Sequence, residues 1–157
     1  MEDKEFMIDA VRNFFEQDDW NCSFDEENSC FAGGIDLGEN FKIRTIQFII
    51  FAHEDHLVCY HYCDINARES DINAVGEFLH RANYGLNRGC FEIDYNDGEI
   101  RYKHRISLAE IKDDTYNTMR AMMFIGADMF CTYGDGLLAV AFGLKSPADA
   151  IADCEEN

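Results

Sequence analysis

The chain has 157 residues, of which 47% are hydrophobic, and a formal net charge of −18 at pH 7. This length and apolar content predict one folded domain over residues 1–157. The acidic charge argues against binding to nucleic acid or to an anionic membrane, because both require a basic patch. We also expect no membrane span, since no apolar run is long enough.

The cysteines and the N-terminus indicate the compartment. Seven cysteines occur without a pair of C-x-x-C motifs, and their number is odd. Free, mostly buried thiols in a reducing compartment explain this pattern most simply. Residues 1–5 are acidic, whereas a signal peptide begins with basic residues. We therefore expect a cytoplasmic protein.

The first part of the chain predicts one helix and then four strands. Residues 3–18 place their apolar side chains on one helical face. Short alternating stretches follow, which predict strands near 20–24 and 29–37. Residues 41–52 predict the longest strand, which should be central because much of it is apolar on both faces. A turn then leads to a strand at 57–64.

The middle of the chain predicts a helix that runs into a β-hairpin. Ser70 is a suitable N-cap for the helix, and Gly85 and Gly89 end it. Residues 90–106 alternate around Asp97-Gly98, which is typical of a two-residue hairpin turn. Such a turn predicts the cross-strand pairs Asp94–Arg101, Glu92–Lys103, Cys90–Arg105, Ile93–Tyr102 and Phe91–His104.

A loop and a long last helix complete the predicted order. Asp113 or Asp114 is expected to cap this helix, and Gly134 and Gly136 are expected to kink or split it. Ser146 before a proline then predicts the start of a short final helix.

The predicted fold class follows from this order, which is α-β-β-β-β-α-β-β-α. Tight turns join most neighbouring strands, so the sheet of about six strands should be mainly antiparallel. Helices that cover mostly one face then give an α+β domain.

Four short strings carry a family resemblance. They are FLHRAN at 78–83, GCFEID at 89–94, DGEIRY at 97–102 and SPADAI at 146–151. Their order and spacing resemble the YbjN-domain family of proposed bacterial sensory transduction regulators. The resemblance implies a fold like that of type III secretion chaperones, which are small, acidic, often dimeric proteins that hold segments of partner proteins. It implies no catalytic residues.

A weak candidate metal site lies in the fourth strand. Cys59, His61 and Cys63 share one face there, and thiolate and imidazole groups are zinc ligands. A two-residue loop at 54–55 sets them opposite Ile50, Phe48 and Ile46, and these apolar neighbours favour plain burial instead. We predict structural packing, with no metal and no cofactor.

One polar residue near the end of the middle helix has two structural interpretations. Asn83 is expected either to cap the helix end or to fix the following loop to the hairpin.

Two regions of the sequence are apolar on more than one face. Ile49 and Phe51 lie opposite the predicted core face of the long strand, and Met122, Ile125 and Met129 form a second stripe on the last helix. Such a surface is either covered within the fold, for example by the N-terminal helix, or serves self-association or a partner. We predict a homodimer or a partner groove on the side of the three last-helix residues, because methionine suits an adaptable surface.

The leading functional hypothesis is a non-enzymatic interaction module. It would be a cytoplasmic chaperone-like or regulatory protein that binds a segment of a partner protein. One alternative is a small metal-binding or cysteine-dependent enzyme. Another is an acidic inhibitor of a basic protein, favoured by the net charge of −18.

Overall fold

The computed structural model describes residues 2–156, which form five helices and six strands. In chain order these are α1 (Asp3–Gln17), β1 (Cys22–Asp25), β2 (Cys30–Asp36), β3 (Thr45–Ala52), β4 (His56–Cys63), α2 (Ile72–Asn83), β5 (Cys90–Ile93), β6 (Ile100–Ser107), α3 (Leu108–Asp113), α4 (Thr115–Ala141) and α5 (Pro147–Glu155).

The six strands form one sheet in the order β1-β2-β3-β4-β6-β5, and every neighbouring pair is antiparallel. After β4, the chain forms α2 and then the edge strand β5. The last strand, β6, lies between β4 and β5. The predicted α+β class and mainly antiparallel sheet are confirmed.

All helices pack on one face of this sheet, which we call the inner face. Two core clusters lie there. The first joins α2, α4 and α5 to side chains such as Ile46 and Tyr102, and the second joins α1, α3 and the start of α4 to side chains such as Phe48 and Ile50. The prediction that the helices lie mostly on one face is therefore confirmed.

The pairing of β3 with β4 is the one predicted. Cys59, His61 and Cys63 lie opposite Ile50, Phe48 and Ile46. The prediction holds because the turn between these strands is short, with the N–H of His53 donating to the carbonyl of His56 over 3.0 Å.

The predicted register of the β5–β6 hairpin is wrong by two residues. The observed pairs are Cys90–Lys103, Phe91–Tyr102, Glu92–Arg101 and Ile93–Ile100. The turn is longer than two residues, because the N–H of Gly98 donates to the carbonyl of Asp94 over 2.7 Å. Gly98 has a φ of +78°, and its carbonyl accepts from the N–H of Ala67 over 2.8 Å. This contact with a distant segment holds the longer turn in place.

Two helix starts differ from the prediction. Asp71 rather than Ser70 is the N-cap of α2, and its side chain accepts no capping hydrogen bond. The predicted loop after β6 contains the short helix α3 instead. A capping box stabilises its start, since Ser107 and Glu110 each bond the backbone N–H of the other.

The predicted capping of the last helices is confirmed, with Asp114 as the cap of α4 and Ser146 as the cap of α5.

The long helix α4 continues through Gly134 and Gly136, so the predicted split does not occur. Gly136 serves close packing instead. A Cβ atom there would lie 2.5 Å from Sγ of Cys154 and 3.1 Å from the ring of Phe78. The missing side chain lets α5 and α2 approach α4, and this packing offsets the low helix propensity of glycine.

By length and composition, α4 could cross a membrane, contrary to the expectation from sequence. However, 56% of its most apolar 18-residue window is buried in the fold. A core helix passes the same test, so this is weak evidence for a span.

Candidate partner-binding surface

The face of the sheet opposite the helices, which we call the outer face, carries three cross-strand rows of side chains. The register places these residues in the rows Gly34–Gln47–Tyr62–Arg101–Glu92, Ser23–Ala32–Ile49–Tyr60–Lys103–Cys90, and Asp25–Cys30–Phe51–Val58–Arg105. Neither core cluster contains any of them. Among residues 2–156, therefore, no helix covers this face.

Aromatic and aliphatic side chains occupy the centre of the outer face. The ring of Tyr60 lies 6.1 Å from that of Phe51 and 6.0 Å from that of Tyr62, centroid to centroid. These side chains and Ile49 are only partly buried. Because strands side by side present these residues in one layer, they form a continuous apolar patch rather than isolated exposed residues.

Strand β6 adds a basic strip to this patch. Arg101, Lys103 and Arg105 follow one another on the outer face, and the guanidinium carbon of Arg101 lies 4.1 Å from the centroid of the Tyr60 ring. This distance is that of a cation–π contact. The outer face thus combines aromatic and basic side chains in a protein of charge −18.

One carboxylate partly neutralises the basic strip. Glu92 accepts hydrogen bonds from Nε of Arg101 and Nζ of Lys103, each over 3.0 Å. Burial alone would raise the pKa of Glu92, but these two cations hold it below its usual value. Within residues 2–156 no carboxylate lies within 4 Å of the charged nitrogens of Arg105. Three aromatic rings, a layer of aliphatic side chains and the guanidinium of Arg105 can therefore contact a segment that carries apolar and acidic side chains.

The three residues of the weak candidate metal site lie in the core. Cys59, His61 and Cys63 are buried on the inner face. Nε2 of His61 lies 3.1 Å from the carbonyl oxygen of Met123, so this nitrogen carries the proton and donates. Nδ1 then accepts, and Sγ of Cys59 lies 3.7 Å from it. Burial lowers the pKa of His61 to about 4, which leaves a neutral imidazole and a thiol.

Space for the His61 ring comes from α4. A Cβ atom on Gly126 would overlap this ring, so the glycine lets the helix approach the sheet. In the part of the chain that the structure describes, no three His, Cys, Asp or Glu side chains are grouped so as to hold a metal ion.

The cysteines are poor nucleophiles. Burial raises the pKa of all seven thiols above the ordinary value. Since the thiolate is the reactive form, this arrangement disfavours cysteine-dependent catalysis.

The second stripe of α4 divides between core and surface. Met122 is fully buried, whereas Ile125 and Met129 are partly exposed. The helix needs two apolar stripes because it packs against the sheet and against the four other helices. The predicted partner surface therefore stays a prediction for Ile125 and Met129 alone.

Asn83 fixes the start of β5 to the end of α2. Its Nδ2 donates to the carbonyl of Phe91 over 2.9 Å, and its Oδ1 accepts from the N–H of Phe91 over 2.7 Å. The second predicted role for this residue, which is attachment of the loop to the hairpin, is confirmed.

Sequence reasoning recognised only part of the outer face. It identified Ile49 and Phe51 as a surplus apolar surface but did not join them to Tyr60, Tyr62 and Arg101. The available signal was the alternation of the two tyrosines with Cys59, His61 and Cys63, which places them on the opposite face of β4.

These features define a class, namely two-layer α+β proteins with helices on one face of an antiparallel sheet and a partly apolar, basic surface on the other. The chain belongs to the YbjN family. The family model, described as "Putative bacterial sensory transduction regulator", matches residues 8–138. The family predicted from the sequence is thus confirmed.

Two further comparisons are less informative. The chain is similar to one in the crystal structure of the ExsC–ExsE complex, at 13% sequence identity and a TM-score of 0.48. The match covers 83% of this chain and 94% of that chain. No curated protein matches the sequence.

Proposed function

We propose that this protein is a non-enzymatic interaction module that binds a segment of a partner protein on the outer face of its sheet. The observation that carries the proposal is the uncovered patch around Tyr60, in which aromatic rings lie beside the basic strip of β6. Soluble proteins rarely leave a large apolar layer without a partner. The family's description as a regulator supports the same role.

The charge distribution indicates the chemistry of the partner segment. The overall charge of −18 repels acidic partners from most of the surface, but Arg101, Lys103 and Arg105 lie together on this face. A segment that alternates apolar and acidic side chains would place the first on Tyr60 and Phe51 and the second on β6. An acidic molecule without apolar groups would contact the cations of β6 but not the rings of Tyr60 and Phe51.

Site-specific photo-crosslinking in the cell of origin tests this proposal. A photoreactive residue in place of Tyr62 should capture one defined protein, whereas the same residue in place of Tyr84 should not. Tyr84 is the matched control because it is 92% exposed and lies at the C-cap of α2, on the helical side. Equal capture from both positions, or capture only from Tyr84, would contradict binding on the outer face.

The proposal also includes a cytoplasmic location and a homodimer. The dimer contact would use the exposed side of α4 around Ile125 and Met129, where the methionine can adapt to a second copy. Light scattering should give the mass of a dimer for the wild type and the mass of a monomer for Met129→Lys. The variant should keep the spectrum of a folded protein. A wild-type monomer would remove the dimer from the proposal and leave the outer-face binding untouched.

A further inference from the structure

A groove runs along α1, on the side where this helix meets the start of α4. Its volume is about 440 Å³, within the range of about 300–1,000 Å³ that is typical of ligand pockets. From Phe6 to Gln17 the groove follows about 16 Å of helix, which is about three turns. The α1 wall includes Phe6, Ala10, Asn13, Phe14 and Gln17, and the α4 wall consists of Thr115 and Tyr116. The groove is therefore long enough for one face of a short helix.

Aromatic side chains make the groove apolar. The ring of Tyr116 lies 5.6 Å from that of Phe14, centroid to centroid, and is 38% exposed. Its hydroxyl donates to the carboxylate of Asp18, with oxygen distances of 3.1 and 3.2 Å. Because this hydrogen bond and the contact with Phe14 hold the ring in place, the α4 wall is formed before a ligand arrives.

A line of acidic side chains borders the groove on α1. Glu5, Asp9, Arg12 and Glu16 follow one another at intervals of three or four residues, which places them along one side of the helix. Arg12 is neutralised by Asp9, to which its Nη1 donates over 2.7 Å. Glu5 and Glu16 are exposed. Within residues 2–156, no charged nitrogen lies within 4 Å of either carboxylate. The border therefore keeps a negative charge.

The position of Glu16 opposes the stability of α1. It lies in the last turn of the helix, which contains no basic residue. The negative end of the helix dipole lies there and favours a cation over a carboxylate. Lys112, whose Nζ lies 5.8 Å from the centre of the Phe6 ring, already bonds Asp3 over 2.8 Å. The charges around the groove thus favour a positively charged ligand.

We propose that this groove binds an amphipathic helix of a partner protein, in which lysine or arginine side chains border the apolar face. Apolar side chains three, four and seven positions apart would enter between Phe6, Ala10 and Tyr116. The basic side chains would contact Glu5 and Glu16. This surface is opposite in charge to the basic strip of the outer face, and binding here is independent of binding there.

Fluorescence anisotropy with the full chain tests the groove with three synthetic peptides of equal length. The first repeats leucine at helical spacing with lysine at the other positions. The second has the same composition in alternating order, which gives no apolar helical face. The third has glutamate in place of lysine in the first. We expect saturable 1:1 binding of the first peptide and at least about tenfold weaker binding of the other two.

Asn13→Arg should weaken binding of the first peptide by at least about tenfold, because it narrows the groove and repels lysine. The variant should fold, since Asn13 is exposed and arginine favours a helix. Asn96→Arg is the matched control, because it makes the same substitution at an exposed position in the hairpin turn. It should change the affinity less than about twofold, and so should Tyr60→Glu on the outer face.

The proposal is overturned if the alternating peptide or the glutamate peptide binds as tightly as the first. It is also overturned if Asn13→Arg and Asn96→Arg weaken binding equally. A wild-type dimer that Asn13→Arg converts to a monomer would assign the groove to a second copy of the chain and would overturn it as well. Loss of binding by Tyr60→Glu alone would place the peptide on the outer face instead.

Discussion

Acidification should destabilise the protein through His61. The ring is fully buried, and its one proton is held on Nε2 by the carbonyl of Met123. Burial lowers its pKa to about 4, from an ordinary value of 6.5. As the pH falls below 6.5, the unfolded chain takes up a proton at this residue and the folded chain does not. The contribution of His61 to stability is therefore complete above pH 6.5 and is lost between pH 6.5 and pH 4.

The size of the effect follows from the two pKa values. Each tenfold difference in proton affinity corresponds to about 1.4 kcal/mol, so the full loss below pH 4 is about 3 kcal/mol. At about pH 5.5 the unfolded residue is mostly protonated and the folded residue is not, which gives a loss of about 1 kcal/mol.

Urea unfolding of the wild type and of His61→Gln between about pH 7.5 and about pH 5.5 measures this loss. Glutamine can still donate to the Met123 carbonyl but does not titrate. The difference in unfolding free energy between the two proteins should therefore shrink as the pH falls. His53→Gln is the control, because His53 is exposed on the turn after β3. The reasoning is refuted if His61→Gln and the wild type lose stability in parallel, or if His53→Gln behaves like His61→Gln.

Three further predictions concern stability in urea. Gly126→Ala should destabilise the fold by about 1–3 kcal/mol, because its methyl group would overlap the His61 ring; an unchanged midpoint would mean that α4 can move aside. Asn83→Ala should lower the free energy of unfolding by about 1–3 kcal/mol, because it leaves the N–H and the carbonyl of Phe91 unpaired. Asn83→Asp should lower it less, because the aspartate still accepts from the N–H of Phe91. Tyr102→Ala should cost about 3 kcal/mol or more, and Arg101→Glu only about 1 kcal/mol, because Tyr102 is in the core and Arg101 is on the outer face; equal costs would mean that the two faces of β6 are misassigned.

The hairpin shows how far an alternating pattern can be interpreted. The pattern correctly predicts which side chains of β5 and β6 share a face, because a strand repeats every two residues. A shift of two residues preserves that repeat, and it also preserves the meeting of acid with base, since Glu92 pairs with Arg101 instead of Lys103. The register is decided by the longer turn, whose Gly98 carbonyl bonds Ala67. That contact lies beyond what a local pattern can reveal.

The glycines of α4 show a second limit of local reasoning. Propensity predicts a break at Gly134 and Gly136, since glycine is unfavourable inside a helix. The helix continues because Phe78 and Cys154 pack against the space that Gly136 leaves. These neighbours belong to α2 and α5, so the reason for the glycine becomes visible only when the helices are in place.

The candidate surface was predictable in part. The apolar side chains of Ile49 and Phe51 indicate a second apolar face of the long strand, but the sequence does not show which face the helices cover. This depends on how α1, α2 and α4 pack together, and that packing is nonlocal. Once the helices are placed on one side, Tyr60, Tyr62 and the β6 cations come together on the other.

The affinity of the crosslinked partner for surface variants tests the central claim most directly. Binding of the purified partner to the wild type, Tyr60→Glu and Tyr84→Glu should be measured by titration, with circular dichroism to show that all three are folded. The outer-face account predicts that Tyr60→Glu weakens binding by at least about tenfold, since it removes an aromatic anchor and places a negative charge beside Arg101. Tyr84→Glu should bind like the wild type. Unchanged binding by Tyr60→Glu, or equal losses in both variants, would contradict the account.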